Sequence, residues 1–253
     1  METNNYDTIA DLYDTYVPAT FDIPFFLGEA KKVPGEVLEL MSGTGRLSLP
    51  LIEAGVRLTC VDLSREMLKV LEEKLVRRGL SARVYPMDIC ELDLGRQFDL
   101  VLIPFHSFAE IVSPEDQRRA LERIHRHLMP GGSFICTLGN PAVRRQTVDG
   151  KLRFFRRYPL DGQRALLLWL LENLHPADNH IVEMLEFFEE YDENGMLCSK
   201  RLLELRFRLS SRGEFEALAC SAGFAISALY GDYSYSEFRE DSSPSMVWVL
   251  KKG

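Results

Sequence analysis

Short apolar runs alternate along this chain with amphipathic stretches of helical period. Strand-like runs fall at 36–40, 57–62, 82–87, 98–105 and 133–138. The run Phe98–Phe105 is apolar at nearly every position, as in a central strand covered on both faces. Between the runs, Ser64 opens a segment with Met67, Leu68, Leu71 and Leu75 on one face. Ser113-Pro114-Glu115-Asp116 offers a cap, a proline in first position and acids in the first turn. Its apolar stripe is Ala120, Leu121, Ile124 and Leu128. Ser211 and Glu214 form a capping box for a later helix that ends at Gly223. Two last runs, Ala225–Tyr230 and Met246–Lys251, complete a set of seven. Alternating strand and helix with short connections predicts an α/β fold, a mostly parallel seven-stranded sheet with helices on both faces.

Two regions break this alternation. Across 141–211 the runs Leu152–Phe155, Ala165–Leu171, Ile181–Tyr191 and Leu202–Leu209 are strand-like throughout. Asn194-Gly195 is hairpin-turn chemistry, and Leu203, Leu205, Phe207 and Leu209 alternate with Glu204, Arg206 and Arg208. This predicts an inserted antiparallel β cap. Trp169 is expected in its core, and Arg206 and Arg208 are expected to pair with Glu183 or Glu186. Residues 1–33 precede the first core strand. Tyr6, Ile9, Ala10, Leu12, Tyr13 and Tyr16 there give a helix-like pattern rich in aromatics. The predicted organisation is a segment 1–33, a core of 34–140 and 212–253, and a cap of 141–211.

Composition narrows the chemistry. The 253 residues are 46% hydrophobic, ordinary for a globular chain. The net charge of −8 and pI of about 5.3 speak against nucleic acid as substrate, because phosphate binding needs basic surface. Five scattered cysteines without C-x-x-C spacing fit reduced thiols and a cytoplasmic protein. The same spacing offers no metal site. The amino terminus lacks a signal pattern, and no apolar run is long enough to span a bilayer.

The densest chemical signal is Val37-Leu-Glu-Leu-Met-Ser-Gly-Thr-Gly-Arg46. An apolar run breaks into a turn where Gly43 and Gly45 allow positive φ and close backbone approach, and an amphipathic segment follows. Asp62 closes the next run, Asp88 lies at the end of the third, and Leu128-Met-Pro-Gly-Gly132 leads into the fifth. In this order the motifs resemble those of the class I S-adenosylmethionine-dependent methyltransferases, which carry a Rossmann-like core. The resemblance covers residues 34–140 well and 212–253 more loosely, and its small-molecule subgroup includes aminosugar N-methyltransferases. One departure is Met41, where that family usually has glycine. A nicotinamide-binding dehydrogenase fits less well: Ser48 stands where its third glycine belongs, and that reading gives Glu39 no role.

The resemblance implies a set of roles. S-adenosylmethionine is the cofactor, with S-adenosylhomocysteine as product. Ser42, Gly43 and Gly45 approach its methionine end, beside Met41 and Arg46, and Glu39 helps to hold its amino group. Asp62 binds the ribose, with Leu63 and Met67 alongside. Met87, Asp88 and Ile89 face the adenine. Tyr13 belongs to a leading segment that folds over the cofactor as a lid; a helix covering a sheet edge is the other reading of that segment. The last two runs form a closing hairpin with an antiparallel edge strand. Phe105 and His106 follow the fourth run and face the sulfonium. His106 is the candidate base or substrate-orienting group, with Tyr233 as a second catalytic candidate; a histidine that only satisfies loop backbone is the plainer reading. Asn140, Tyr230 and Asp232 are expected at the acceptor. The implied reaction moves a methyl group to a nitrogen or oxygen of a small molecule. A non-catalytic cofactor-binding scaffold is the alternative. The hairpin edge of the cap also offers a homodimer contact.

Overall fold

A computed structural model of the protein describes residues 4–253; residues 1–3 of the expected leading segment lie outside the described residues. The chain begins with a 3-10 turn, Tyr6–Ile9, and two helices, α1 (Tyr13–Tyr16) and α2 (Ile23–Lys31). The core then runs β1 (Val37–Leu40), α3 (Ser48–Glu53), β2 (Leu58–Asp62), α4 (Arg65–Arg78), β3 (Arg83–Pro86), β4 (Phe98–Ile103), α5 (Pro114–Arg126), β5 (Leu128–Gly139) and α6 (Pro141–Arg144). Four antiparallel strands follow: β6 (Arg153–Pro159), β7 (Ala165–His175), β8 (Asp178–Tyr191) and β9 (Leu197–Arg208). Helix α7 (Arg212–Ser221) and strands β10 (Phe224–Tyr230) and β11 (Ser245–Lys252) close the chain.

The seven-stranded sheet has the order β10-β11-β5-β4-β1-β2-β3. The alternation of its side chains divides the core in two. Leu38, Leu40, Val101 and Ile103 pack with α5 and α7 on one face; Val37, Cys60, Leu100 and Leu102 pack with α2, α3 and α4 on the other. Helix ends follow the expected chemistry. Ser64 accepts from Met67 N, Ser113 accepts from Asp116 N, and Ser211 and Glu214 form the capping box.

Four features differ from expectation, three of them in the order and turns of the chain and the fourth at Trp169 in the cap. The antiparallel strand β11 pairs with both β5 and β10, so β10 is the edge strand. The reason is legible in burial: Met246, Val247, Trp248 and Leu250 are all buried, whereas β10 alternates and tolerates an open side. The aromatic stretch Tyr6–Tyr16 is a 3-10 turn and one short helix, which ends where Val17, preceding Pro18, leaves helical geometry at φ −115° and ψ 63°. The β8–β9 connection is wider than a two-residue turn: Asp192 N donates to Met196 O, and only Gly195 takes positive φ, at 77°.

The cap forms its own four-stranded sheet, β6-β7-β8-β9. Its inner face, with Leu166, Leu168, Phe188, Leu203 and Leu205, buries Ile9, Leu12 and Tyr16 of the leading segment. Trp169 faces the other way, half-buried against Phe154 with ring centroids 5.2 Å apart. Strand alternation explains this: Leu166, Leu168 and Leu170 point inward, so Trp169 cannot.

Candidate active site

The carboxyl ends of β1, β2 and β4 converge on one mouth, and the backbone there is unusual. Met41, Phe105 and His106 hold φ of 57°, 57° and 65°, a region that side chains disfavour. Gly43 and Gly45 turn at φ 55° and 87°. The turn is tied to β2: Ser42 N donates to Val61 O at 3.1 Å, and Gly43 N donates to Asp62 Oδ2 at 2.7 Å. Ser64 N donates to Asp62 Oδ1 at 2.8 Å. Burial pushes the Asp62 carboxyl up against the pull of these donors. Two amides pin this carboxylate, and each oxygen keeps a lone pair for a ligand.

Beside it lies a cavity of about 570 Å³. Gly43, Asp62, Leu63 and Met67 line one side, with Met87, Asp88 and Ile89 on another; Met41 and Tyr13 also reach it. Asp88 Oδ1 accepts from Cys90 N at 2.8 Å, which orients the loop after β3. A hydroxyl-accepting carboxylate and an apolar slot of this size fit a nucleoside.

Other predicted cofactor residues stand behind this wall. Glu39 lies on the inner face of β1 and accepts from Ser48 Oγ at 2.7 Å; burial lifts it to about 8. Ser42 Oγ donates to Val61 O at 3.3 Å. At Gly45 a Cβ would sit 2.4 Å from Leu71 Cδ1, so this glycine serves the close approach of α4. Arg46 pairs with buried Asp22 through two contacts of 2.6 and 2.7 Å and lies 4.4 Å over the Phe105 ring. It links the leading segment to the β4 loop.

A second cavity, of about 340 Å³, opens beneath the cap. Phe105 and His106 line it, together with Tyr16, Met184, Glu186 and Phe207. Tyr6, Tyr13, Ser107 and Glu110 line both cavities, so the two spaces adjoin there. His106 Nε2 sits 3.0 Å from Ser245 Oγ, its backbone N donates to Thr137 Oγ1 at 3.0 Å, and burial lowers it to about 4. Glu110 accepts from Asn4 Nδ2 at 3.0 Å and Tyr6 OH at 3.3 Å, and burial lifts it to about 7.

The remaining candidates lie apart from both linings. Asn140 is buried with its amide donating to Glu240 O and Ser243 O, and its Oδ1 accepts from Ala142 N. Asp232 caps its own turn through Ser234 N and Ser236 N. Tyr230 stacks edge-on with Tyr235 at 5.2 Å. Tyr233 packs among Phe21, Phe25 and Phe26, and burial lifts its phenol to about 12. Arg206 pairs with Glu183 at 3.2 Å as expected, but Arg208 reaches Asp178 and Val112 O instead, leaving Glu186 without either arginine.

Glu110 and Glu186 escaped the sequence reading. Each had a signal: Glu110 is the lone acid in Phe105–Val112, and Glu186 is an acid among the inward residues Val182, Met184 and Phe188 of β8. Among the described residues no group of side chains could hold a metal ion, and no helix is long and apolar enough to cross a membrane.

A parallel sheet with a glycine turn, a pinned acid and a nucleoside-sized slot at its carboxyl end defines a nucleotide-cofactor enzyme of α/β type. Residues 37–132 match the family model described as a methyltransferase domain. The cypemycin N-terminal methyltransferase of Streptomyces sp is 36% identical over 216 residues, covering 85% of this chain and 82% of that protein. A solved S-adenosylmethionine-dependent methyltransferase from Clostridium acetobutylicum ATCC 824 superposes with a TM-score of 0.83 at 22% identity, over 98% of this chain and 99% of that one. The sugar N-methyltransferase KedS8 from Streptoalloteichus sp ATCC 53650 gives 0.75 at 19% identity, over 100% and 94%. At these identities the two structures speak for the fold. The chain belongs to the S-adenosylmethionine-dependent methyltransferases, and its cofactor is S-adenosylmethionine.

Proposed function

We propose that this enzyme methylates a nitrogen of a small molecule held in the cavity beneath the cap. The observation that carries this reading is the junction of the two cavities at Tyr6, Tyr13, Ser107 and Glu110. A nucleophile on one side faces a cofactor on the other across a carboxyl and two phenols. The name of the cypemycin relative, an N-terminal methyltransferase, supports nitrogen, as does the likeness in fold to a sugar N-methyltransferase. S-adenosylmethionine supplies an already activated methyl, so this chain's residues position, exclude water and manage a proton.

In this reading Asp62 accepts from the ribose hydroxyls, and Met87, Asp88 and Ile89 bound the adenine. Gly43 leaves room for the methionine end, with Met41 narrowing it. Glu39 and Arg46 brace the turn from behind. His106, neutral at pH 7, orients the loop through Ser245 rather than acting as a base. Glu110 would accept the proton that an ammonium must release: the N–H bond breaks and its electron pair stays on nitrogen, leaving a lone pair that could take the methyl of bound S-adenosylmethionine in line, the S–CH₃ electron pair staying on sulfur. Residues 1–33 act as a lid, 141–211 as the acceptor-selecting cap, and 34–140 with 212–253 as the core. The net negative charge supports a small acceptor over nucleic acid. Free thiols at all five cysteines support a cytoplasmic setting.

A homodimer through the cap is part of the proposal. Phe154, Trp169, Phe187 and Leu202 stand in one cross-strand row on its outer face, and Phe154 and Leu202 are exposed. Such a row is the surface a second copy would cover.

The test is S-adenosylhomocysteine formation with small primary and secondary amines against matched alcohols. Turnover with amines is expected. Turnover with alcohols alone would overturn the nitrogen reading. Tight S-adenosylhomocysteine binding without turnover on any acceptor would favour a cofactor-binding scaffold.

A further inference from the structure

The cavity beneath the cap carries one acid that no described side chain answers. Glu186 lines it from β8 and is 7% exposed. Its Oε2 is buried and has no hydrogen-bond partner among the described residues. Its cross-strand neighbours are Leu170 and Leu203, which offer no donor. A buried carboxyl left in this way costs stability, and apolar side chains occupy the inward positions on either side of it in β8.

The cations of the cavity are already committed. Arg144 lines it but pairs with Glu172, with one contact of 3.0 Å. Arg208 lines it but donates to Val112 O at 3.1 Å and approaches Asp178 at 3.4 Å. Glu110, the other acid of the lining, is held among the described residues by neutral donors alone, Asn4 and Tyr6. The cavity therefore holds two acids, and no free cation among its described lining residues would balance them once ionised. Its walls are aromatic as well: Tyr6, Tyr13 and Tyr16 follow one another edge to face at 6.0 and 5.4 Å. Ring faces and a desolvated carboxylate both favour a cationic nitrogen.

We propose that the cavity beneath the cap is a cation-selective acceptor site in which the Glu186 carboxylate pairs with the protonated amine of the acceptor. This rests on the nitrogen reading and adds to it the acceptor's charge and the residue that reads it. Such a site takes an amine on an apolar body and rejects neutral alcohols and carboxylates of the same shape. Burial lifts Glu186 to about 8, consistent with a carboxyl that is protonated when alone and ionises against a bound cation.

The experiment is calorimetric titration of the full chain, saturated with S-adenosylhomocysteine, using benzylamine and benzyl alcohol as probes. Benzylamine is expected to bind at least tenfold more tightly. Glu186→Gln is expected to remove that advantage, leave benzyl alcohol and S-adenosylhomocysteine binding unchanged, and melt no lower than the parent. Equal binding of the two probes, no benzylamine binding at millimolar concentration, or an unchanged benzylamine affinity in the variant would each overturn the proposal. So would a lower melting temperature or weaker S-adenosylhomocysteine binding in the variant, since Glu186 would then be structural. The two readings fail separately. Methyl transfer to amines alongside unselective probe binding would remove only the Glu186 assignment; selective probe binding with transfer to alcohols alone would remove the nitrogen reading.

Discussion

The backbone N–H of Gly43 donates to Oδ2 of Asp62 at 2.7 Å, joining the glycine turn after β1 to the acid at the end of β2. Turn and acid are thereby one unit, and a ligand that engages the carboxylate also meets the turn. Asp62→Ala is expected to weaken S-adenosylhomocysteine about 10- to 100-fold, the range for losing hydrogen bonds to a charged group. Asp62→Asn should fall between. Calorimetric titration checks this, and an unchanged affinity in Asp62→Ala would remove it from the site.

The two glycines of the turn should separate binding from stability. A Cβ at Gly43 meets nothing within 4 Å, yet Gly43 lines the cofactor cavity. Gly43→Ala should weaken S-adenosylhomocysteine binding and cost only about 1 kcal/mol of stability from its φ. Gly45→Ala drives a methyl into Leu71 as well and should cost about 2–3 kcal/mol more by urea denaturation. Equal stability losses in the two variants would contradict this division.

Asp22 is fully buried, and among the described residues its only charged partner is Arg46. Asp22→Ala should lower stability by about 3 kcal/mol, because it strands a guanidinium with 12% side-chain exposure. Urea denaturation reads this directly. A loss under about 1 kcal/mol would mean that Arg46 swings to water.

Stability should fall as pH rises from 5.5 to 8. Burial lifts Glu39 to about 8, Glu110 to about 7 and Glu186 to about 8, against an ordinary value of 4.5. Folding holds these protons where the unfolded chain has lost them. Their contribution is full below 4.5 and disappears as pH climbs through 7 to 8. His106, lowered from 6.5 to about 4, acts oppositely: its contribution is full above 6.5 and lost toward 4. Of these four groups, three oppose one below pH 6.5 and meet no opposition from it above; His125, also lowered by burial, works with His106, and Asp62, also raised, works with the three carboxyls. Each net proton shifts stability by about 1.4 kcal/mol per pH unit. The melting temperature should therefore drop across this window, and Glu186→Gln should flatten the slope. A rising melting temperature would mean that these carboxyls are ionised in the fold.

The apolar row on the outer cap face predicts self-association. Sedimentation at micromolar concentration is expected to show a dimer, and Trp169→Glu a monomer. A parent chain that sediments only as monomer would overturn the dimer.

Local order explains which elements could be read from the chain. Each core strand and its following helix lies within a few dozen residues, and hydrophobic period, caps and glycines act at that range. Gly43, Asp62, Leu63, Met87, Asp88 and Ile89 line one cavity because they sit at or just after strand ends of a parallel sheet, a place that topology assigns, and Met67 joins them from the first turn of α4. Asn140 and Asp232 also follow strands, yet their side chains are consumed by nearby backbone donors and acceptors. Strand-end position alone does not distinguish a group that faces a ligand from one that holds its loop.

By itself, then, the sequence determined the seven-stranded core, the inserted cap and the cofactor turn, because these depend on period and on contacts between chain neighbours. Only the tertiary structure decided what faces what. It set Arg46 on Asp22 across 24 residues and Glu110 against Tyr6 across 104. It left Glu186 Oε2 without a hydrogen-bond partner among the described residues, in a cavity built from the leading segment, the β4 loop and the cap. Those relationships arise from packing between distant segments, and burial there sets both the protonation and the pairing of each acid.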